Sequence, residues 1–287
     1  MHNALADITI EAAGLKVTGF SISALATWLI IPELDVCFDM GECPLSAVPM
    51  NHVLLTHAHG DHSRCLQRHD ALRRLGALPR AAAYYVPSET VDGLRAVMRA
   101  EAMLVGVTEA TMEYPDFRGM LPGDGPIPLA HRRDLAVTAF NADHSIPSRG
   151  YTISRLKKRL RPEFVGTPGP ELGRLRREGV VFEDPVHDPV VTFIGDCTGA
   201  TLTDESHIWD SRLLIVECTY ILPGEQHLAD RAKHTHLDEL IAILETRAPG
   251  PELIIKHFSM RYSPAVVRKT VLPRIPAAWR DRTHLLI

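Results

Sequence analysis

Val53-Leu54-Leu55-Thr56-His57-Ala58-His59-Gly60-Asp61-His62 joins a short apolar run to three histidines and a carboxylate packed into six positions. Borderline-soft divalent ions such as zinc take neutral imidazole nitrogen and carboxylate oxygen, and ligands that diverge to either side of one loop suit two neighbouring ions. His57 and His59 can face one ion while Asp61 and His62 face the other. Four such groups gathered without a cation would suffer desolvation and mutual repulsion. Upstream, residues 53–55 read as a β-strand. Downstream, Leu66, Ala71, Leu72 and Leu75 recur at roughly helical spacing, which places the cluster at a strand-to-helix turn.

Working outward, residues 15–38 alternate apolar runs (15–20, 27–31, 34–38) with turn residues, as in an opening β-meander. A second helical pattern covers 89–104, and a Gly/Pro-rich connection spans 119–128. Strands are expected at 135–140, 190–194, 213–217 and 253–256, with a helix at 237–244. A last helix starts at Ser263-Pro264, an N-cap serine followed by proline at the first helical position.

With 287 residues, 45% of them hydrophobic, the chain can bury a full core in one α/β domain spanning 1–287. A formal net charge of −4 argues against a molecule that binds nucleic acid by overall charge, so any RNA contact must be local. The five cysteines, Cys37, Cys43, Cys65, Cys197 and Cys218, are odd in number and lack paired zinc-ribbon spacing, which reads as reduced thiols in a cytoplasmic protein. The first thirteen residues carry acids and no long apolar stretch, so neither a signal peptide nor a membrane span is expected.

One loop cannot complete a binuclear site, and further ligands do follow other expected strands. Asp143-His144 comes after 135–140, Gly195-Asp196 after 190–194, and His257 after 253–256. A strand's carboxyl end aims the next side chains into the cleft at one end of a sheet, so these loops can converge. The constellation resembles the metallo-β-lactamase superfamily, and longer motifs narrow the likeness to the ribonuclease Z family, which removes the 3′ trailer of precursor tRNA. His144-Ser145-Ile146-Pro147-Ser148-Arg149-Gly150-Tyr151 is similar to that family's His-x-x-x-Ser-x-Gly-Tyr, and Ile194-Gly195-Asp196-Cys197-Thr198 to its Gly-Asp-Thr segment. Residues 213–220 resemble its Leu-Leu-x-x-Glu-x-Thr-Phe strand, and residues 256–262 its Thr-His-Phe-Ser-x-Arg-Tyr. Asp39-Met40-Gly41-Glu42-Cys43-Pro44 looks like its Asp-x-Gly-x-Cys-Pro loop, for which a plain turn is an equal reading.

The resemblance implies an αββα sandwich of two mixed sheets flanked by helices. It implies two zinc ions, or manganese or iron in their place: His57, His59 and His144 on one, Asp61, His62 and His257 on the other, and Asp196 bridging. Paired cations activate a shared oxygen nucleophile and neutralise phosphoryl charge, while Asp61 can also orient the nucleophile and take its proton. His59 stands where the redox di-iron members carry a carboxylate, which favours hydrolysis. Glu217 would orient His234 as the proton donor to the leaving oxygen, with His236 as the alternative if the loop is shifted by two.

Residues 155–177 hold eight Lys or Arg against two acids, and 166–175 resemble the Gly-Pro motif on the arm with which ribonuclease Z grips tRNA. A short basic arm at about 155–180, with Arg174, Arg176 and Arg177 touching phosphate, is therefore expected. That family also implies a homodimer with precursor tRNA as substrate. The chain departs from the family where Ser63-Arg64-Cys65 replaces a glycine pair, crowding the entrance, and where Cys197 replaces a threonine. A hydrolase of a cyclic phosphodiester, lactone or thioester would use the same cluster without the arm, whereas a non-catalytic RNA scaffold would need neither the cluster nor the Glu217 and His234 pair.

Overall fold

In the computed structural model, which describes residues 7–108 and 111–287, two sheets pack face to face. The first half of the chain supplies β1 (Ile8–Ala12), β2 (Leu15–Ser23), β3 (Ala26–Ile31), β4 (Val36–Phe38), β5 (His52–Leu54), α1 (Gly60–Ser63), α2 (Leu66–Leu75), β6 (Ala83–Pro87), α3 (Val91–Leu104) and β7 (Asp116–Met120). The second half supplies β8 (Ile127–Leu129), β9 (Arg132–Asn141), β10 (Arg149–Leu160), α4 (Gly169–Arg177), β11 (Glu183–Phe193), α5 (Gly199–Asp204), β12 (Leu213–Glu217), α6 (Gln226–Ala232) and α7 (Leu237–Glu245). It closes with β13 (Glu252–Lys256), β14 (Phe258–Ser259), α8 (Pro264–Val271), α9 (Ala277–Arg280) and β15 (Thr283–Leu285). One sheet runs β1-β2-β3-β4-β5-β6-β7 with β14 added beside β2, and the other runs β15-β13-β12-β11-β10-β9-β8.

The continuous apolar runs are explained by burial on both faces. Leu213 and Ile215 point into the core between the sheets, while Leu214 and Val216 point outward under the helices. Strands covered on both sides lose the in-out alternation of a half-exposed sheet. Phe38 of one sheet stacks on Phe193 of the other at 4.5 Å. Leu66 and Met98 cover the first sheet's outer face, and Leu237, Leu240, Val267 and Trp279 cover the second's. Fully burying each such side chain contributes about 1.5–3 kcal/mol, so the layering αββα follows from where apolar surface lies.

The expected strands and helices are present, with differences at their ends. The strand expected at 190–194 begins at Glu183, and the helix expected from 89 begins at Val91 after a 3-10 turn. Ser263 caps α8 by accepting from the Val266 amide. The segment read as a basic arm is largely regular. β9 accompanies β10 only as far as Arg155, so beyond that point β10 and β11 continue as a two-stranded ribbon, crowned by α4.

Two glycines hold the site end together. A Cβ on Gly195 would lie 2.4 Å from the Thr56 hydroxyl oxygen, and one on Gly41 would lie 1.8 Å from the Asp61 carbonyl oxygen. Neither position has room for a side chain, so the loops from Asp39 and Asp196 can close on the histidine loop only through glycine.

Candidate metal centre

β4, β5 and β6 run parallel, as do β11, β12 and β13, and the loops at one end of both sheets carry the candidate ligands. His57, His59, His144 and Asp196 form one group whose ligand atoms all lie within 4.8 Å of one another, and Asp61, His62 and His257 form a second. His57 Nε2 is 3.1 Å from His59 Nδ1, and His144 Nε2 is 3.2 Å from the same atom. In the second group, His62 Nε2 and His257 Nε2 are 3.3 Å apart. Tetrahedral ligands about 2.0–2.1 Å from zinc stand roughly 3.3 Å from each other, so this spacing suits cations. Asp196 lies between the groups, with Oδ2 3.7 Å from His57 Nε2 and Oδ1 3.3 Å from His62 Nε2.

The outward nitrogens are held by the protein. His57 Nδ1 meets the Thr56 hydroxyl at 3.0 Å, His62 Nδ1 meets Asp39 Oδ2 at 2.8 Å, His144 Nδ1 donates to the Lys233 carbonyl at 2.9 Å, and His257 Nδ1 meets the Thr219 hydroxyl at 3.1 Å. With these committed, the Nε2 lone pairs of all four rings converge inward, the usual arrangement behind metal-bound imidazole. The Asp61 carboxylate accepts from the Ala24 amide at 2.9 Å. His257 reaches its place through a left-handed backbone, φ 63°, a strained conformation for a residue with a Cβ. The buried Oδ1 of Asp196 has no hydrogen-bond partner, a polar orphan that a cation would satisfy.

Burial holds His57, His59, His144 and His257 below the ordinary imidazole range, which keeps their lone pairs available to a cation. His62 is opposite: burial pulls it down, but Asp196 and Asp39 outweigh this and push it to about 10 in the metal-free protein. A cation entering the second group must displace that proton, coupling uptake to pH. Asp61 is penalised by burial, yet the neighbouring His257 and His62 bring it to about 2.

Glu217, at the end of β12 and wholly buried, accepts from the Cys197 amide at 3.1 Å and from the Thr219 amide and hydroxyl at 2.9 and 2.7 Å. Its other contact is His234 Nδ1 at 2.7 Å. Burial lowers the His234 pKa, but the Glu217 charge and hydrogen bond dominate and raise it to about 9. The His234 ring lies 5.3 Å from His144 and 5.6 Å from His257, centroid to centroid. His236 is buried at the N-terminus of α7, accepting from the Asp238 amide and contacting the Leu222 carbonyl.

Arg149 ties this end to the rest of the fold. Its amide donates to the Thr56 carbonyl at 2.8 Å, and its buried guanidinium grips Glu89 at 2.6 and 2.7 Å. The ribbon lies apart from the cluster residues, and its charges are largely paired. Arg174 bonds to Glu171 and Glu178, Arg176 to Glu183 while lying over the Phe182 ring, Lys157 to Asp188, and Arg161 to Asp184. Arg159 and Arg177 have no carboxylate partner among the described residues. Counting the returning strand, eight Lys or Arg between 155 and 188 face six Asp or Glu, so the ribbon is far less basic than residues 155–177 alone.

Asp39 was legible only as part of a loop, and its role behind His62 had no signal beyond the Asp-x-Gly-x-Cys-Pro pattern. Thr219 behind His257 was legible only as the threonine of the Leu-Leu-x-x-Glu-x-Thr-Phe strand. All five cysteines are free thiols. Among the described residues, no helix is long and apolar enough to cross a membrane.

Two mixed sheets between helices, with a histidine and aspartate cluster at one end suited to metal ions, define a hydrolase of the metallo-β-lactamase fold. The metallo-β-lactamase fold protein YhfI of Bacillus subtilis superposes with a TM-score of 0.60 over 94% of this chain and 95% of its own, at 15% identity. The short form of human tRNase Z superposes with a TM-score of 0.56 over 93% of each chain, at 17% identity. No protein-family model matches the chain. In sequence, it is 35% identical over 180 residues to the nuclear ribonuclease Z of Triticum aestivum, covering 62% of this chain and 96% of that one. It is 29% identical to tRNase Z TRZ1 of Arabidopsis thaliana over 88% of this chain and 89% of the relative, and 29% identical to the chloroplastic tRNase Z TRZ2 of that plant over 92% and 73%. The chain belongs to the ribonuclease Z family of metal-dependent endoribonucleases.

Proposed function

We propose that the protein removes the 3′ trailer from precursor tRNA, using two zinc ions held by His57, His59 and His144 and by Asp61, His62 and His257, with Asp196 shared between them. The observation that carries this reading is the pairing of Glu217 with His234 at 2.7 Å beside the double cluster. When bound, two divalent cations would supply an acidified water and neutralise charge on the phosphoryl oxygens. Asp61 orients the attacking water and takes its proton. His234, held by Glu217 through Nδ1, gives a proton to the departing 3′-oxygen as the P–O3′ bond breaks. The tRNA is left with a 3′-hydroxyl and the trailer with a 5′-phosphate.

His236 has both ring nitrogens engaged at the start of α7, which favours His234 as the donor. The ribbon would act in tRNA grip, with Arg177 and Arg159 better placed to meet phosphate than the paired Arg174 and Arg176. A homodimer is supported by the apolar residues at the end of α3 and just beyond it, Met103, Leu104 and Val105, which are 64%, 87% and 77% exposed. Free thiols fit a reducing compartment such as the cytoplasm. Cleavage of a labelled precursor tRNA beside a generic phosphodiester, with end-group analysis, tests the reading: a small-molecule hydrolase would cut only the latter.

A further inference from the structure

A groove of about 460 Å³ runs between α2 and α3 and begins at the histidine loop, with Ala58 and Ser63 in its wall. That volume falls within the range of small-ligand clefts. Leu94, Val97 and Met98 give it an apolar side, and Arg64, near the histidine loop, and Glu101, on α3, supply its charged lining. His234 borders His144 and His257, whereas the groove opens at the histidine loop, and His234 is not among its lining residues. Arg64 belongs to Ser63-Arg64-Cys65, the segment that stands in place of the resembling family's glycine pair. Its guanidinium is half-exposed and fixed by Glu42 at 2.6 Å, which leaves further N–H groups for an anion.

A strand that leaves its 3′-oxygen at His234 must carry its other side past the cluster, and the groove that opens at the histidine loop offers a path for it. We propose that the α2–α3 groove is the subsite for the first trailer nucleotide, with its base against Leu94, Val97 and Met98 and Arg64 on the phosphate that follows. This rests on trailer removal being the activity. Single-stranded bases gain from apolar or guanidinium faces whatever their sequence, so the subsite would read the presence of a base more than its identity. Arg64 would read only the charge beyond it.

The test uses the full chain with zinc and precursors that differ only in the trailer. An abasic first trailer nucleotide should lower kcat/KM about tenfold for the wild type. Gly93→Phe fills the groove from a helix position where an added Cβ meets nothing within 4 Å, so the new side chain starts in open space, and an unchanged urea midpoint checks that the fold is kept. That variant should lose about tenfold on the ordinary precursor and show no further loss on the abasic one. Arg64→Gln should raise KM severalfold for a two-nucleotide trailer, and the penalty should vanish for a one-nucleotide trailer, which lacks the following phosphate.

Independently of turnover, 4-thiouridine at the first trailer position should crosslink to residues 63–67 or 90–101. Equal cleavage of base and abasic substrates, discrimination surviving in Gly93→Phe, or a crosslink elsewhere overturns the subsite while leaving trailer removal standing. A change of oligomeric state in Gly93→Phe without a change in discrimination assigns the groove to a second copy and also overturns it. Failure of the wild type to cut any precursor overturns trailer removal, and the subsite with it.

Discussion

Asp39 Oδ2 lies 2.8 Å from Nδ1 of His62, and the other oxygen of the same carboxylate accepts the Thr56 amide at 2.7 Å. One buried carboxylate thus orients an imidazole of the second group and anchors the loop that carries the first. Asp39→Asn keeps the size of the side chain but removes the charge that holds the ring. Metal affinity of the Asp61, His62 and His257 group is expected to fall about 10- to 100-fold, as for other groups that support a ligand. Metal content after dialysis against graded chelator checks this. Wild-type retention at both sites would mean that Asp39 serves only the turn.

Glu217→Gln and His234→Ala should leave metal content intact and slow cleavage of precursor tRNA by roughly 10²-fold or more, the usual worth of an oriented general acid. A nitrophenyl phosphodiester has a leaving group that needs no proton, so its hydrolysis should change little. Equal losses on both substrates would make His234 a support of the metal centre instead. A loss in His236→Ala confined to precursor tRNA would move the donor role to that residue.

The ribbon predicts an uneven response to charge reversal. Arg177→Glu and Arg159→Glu should raise KM for precursor tRNA and flatten its salt dependence, because those cations have no carboxylate partner among the described residues. Arg174→Glu should do less to the salt slope than to the stability of α4, since it breaks contacts to Glu171 and Glu178. Binding measured across a salt series separates the two; equal slopes for all three variants would remove the ribbon from RNA contact.

Outside the cluster, His69 is buried against Tyr84 and the Ala47 carbonyl, and burial lowers its pKa to about 4. The folded form refuses a proton that the unfolded chain accepts below about 6.5, so stability is full above that pH and is lost as pH falls towards 4. The window corresponds to roughly 3 kcal/mol. Urea unfolding of the metal-free protein should show wild type losing more stability than His69→Gln between pH 7.5 and 4.5. Parallel losses would contradict the assignment.

The loops that carry the candidate ligands were legible because each follows an apolar run that stops at a histidine or aspartate. Phe193 to Asp196 and Lys256 to His257 are such junctions. Asp39 was not, since its partner lies 23 positions away and only the closed loop brings them together. The regular structure of the ribbon was not legible. Strand residues 156–160 are mostly exposed and charged, so they carry no core-facing period, and the acids that neutralise them arrive on the returning strand. β7 escaped notice for a related reason, being a largely polar edge strand read from Asp-Phe-Arg-Gly-Met.

The most direct measurement is a zinc titration of the chelated protein, read by cleavage of an end-labelled precursor tRNA. Activity should return in step with about two zinc ions per chain, giving a 3′-hydroxyl on the tRNA and a 5′-phosphate on the trailer. Recovery complete at one zinc, or restored hydrolysis of a small phosphodiester with the precursor left whole, would contradict the account.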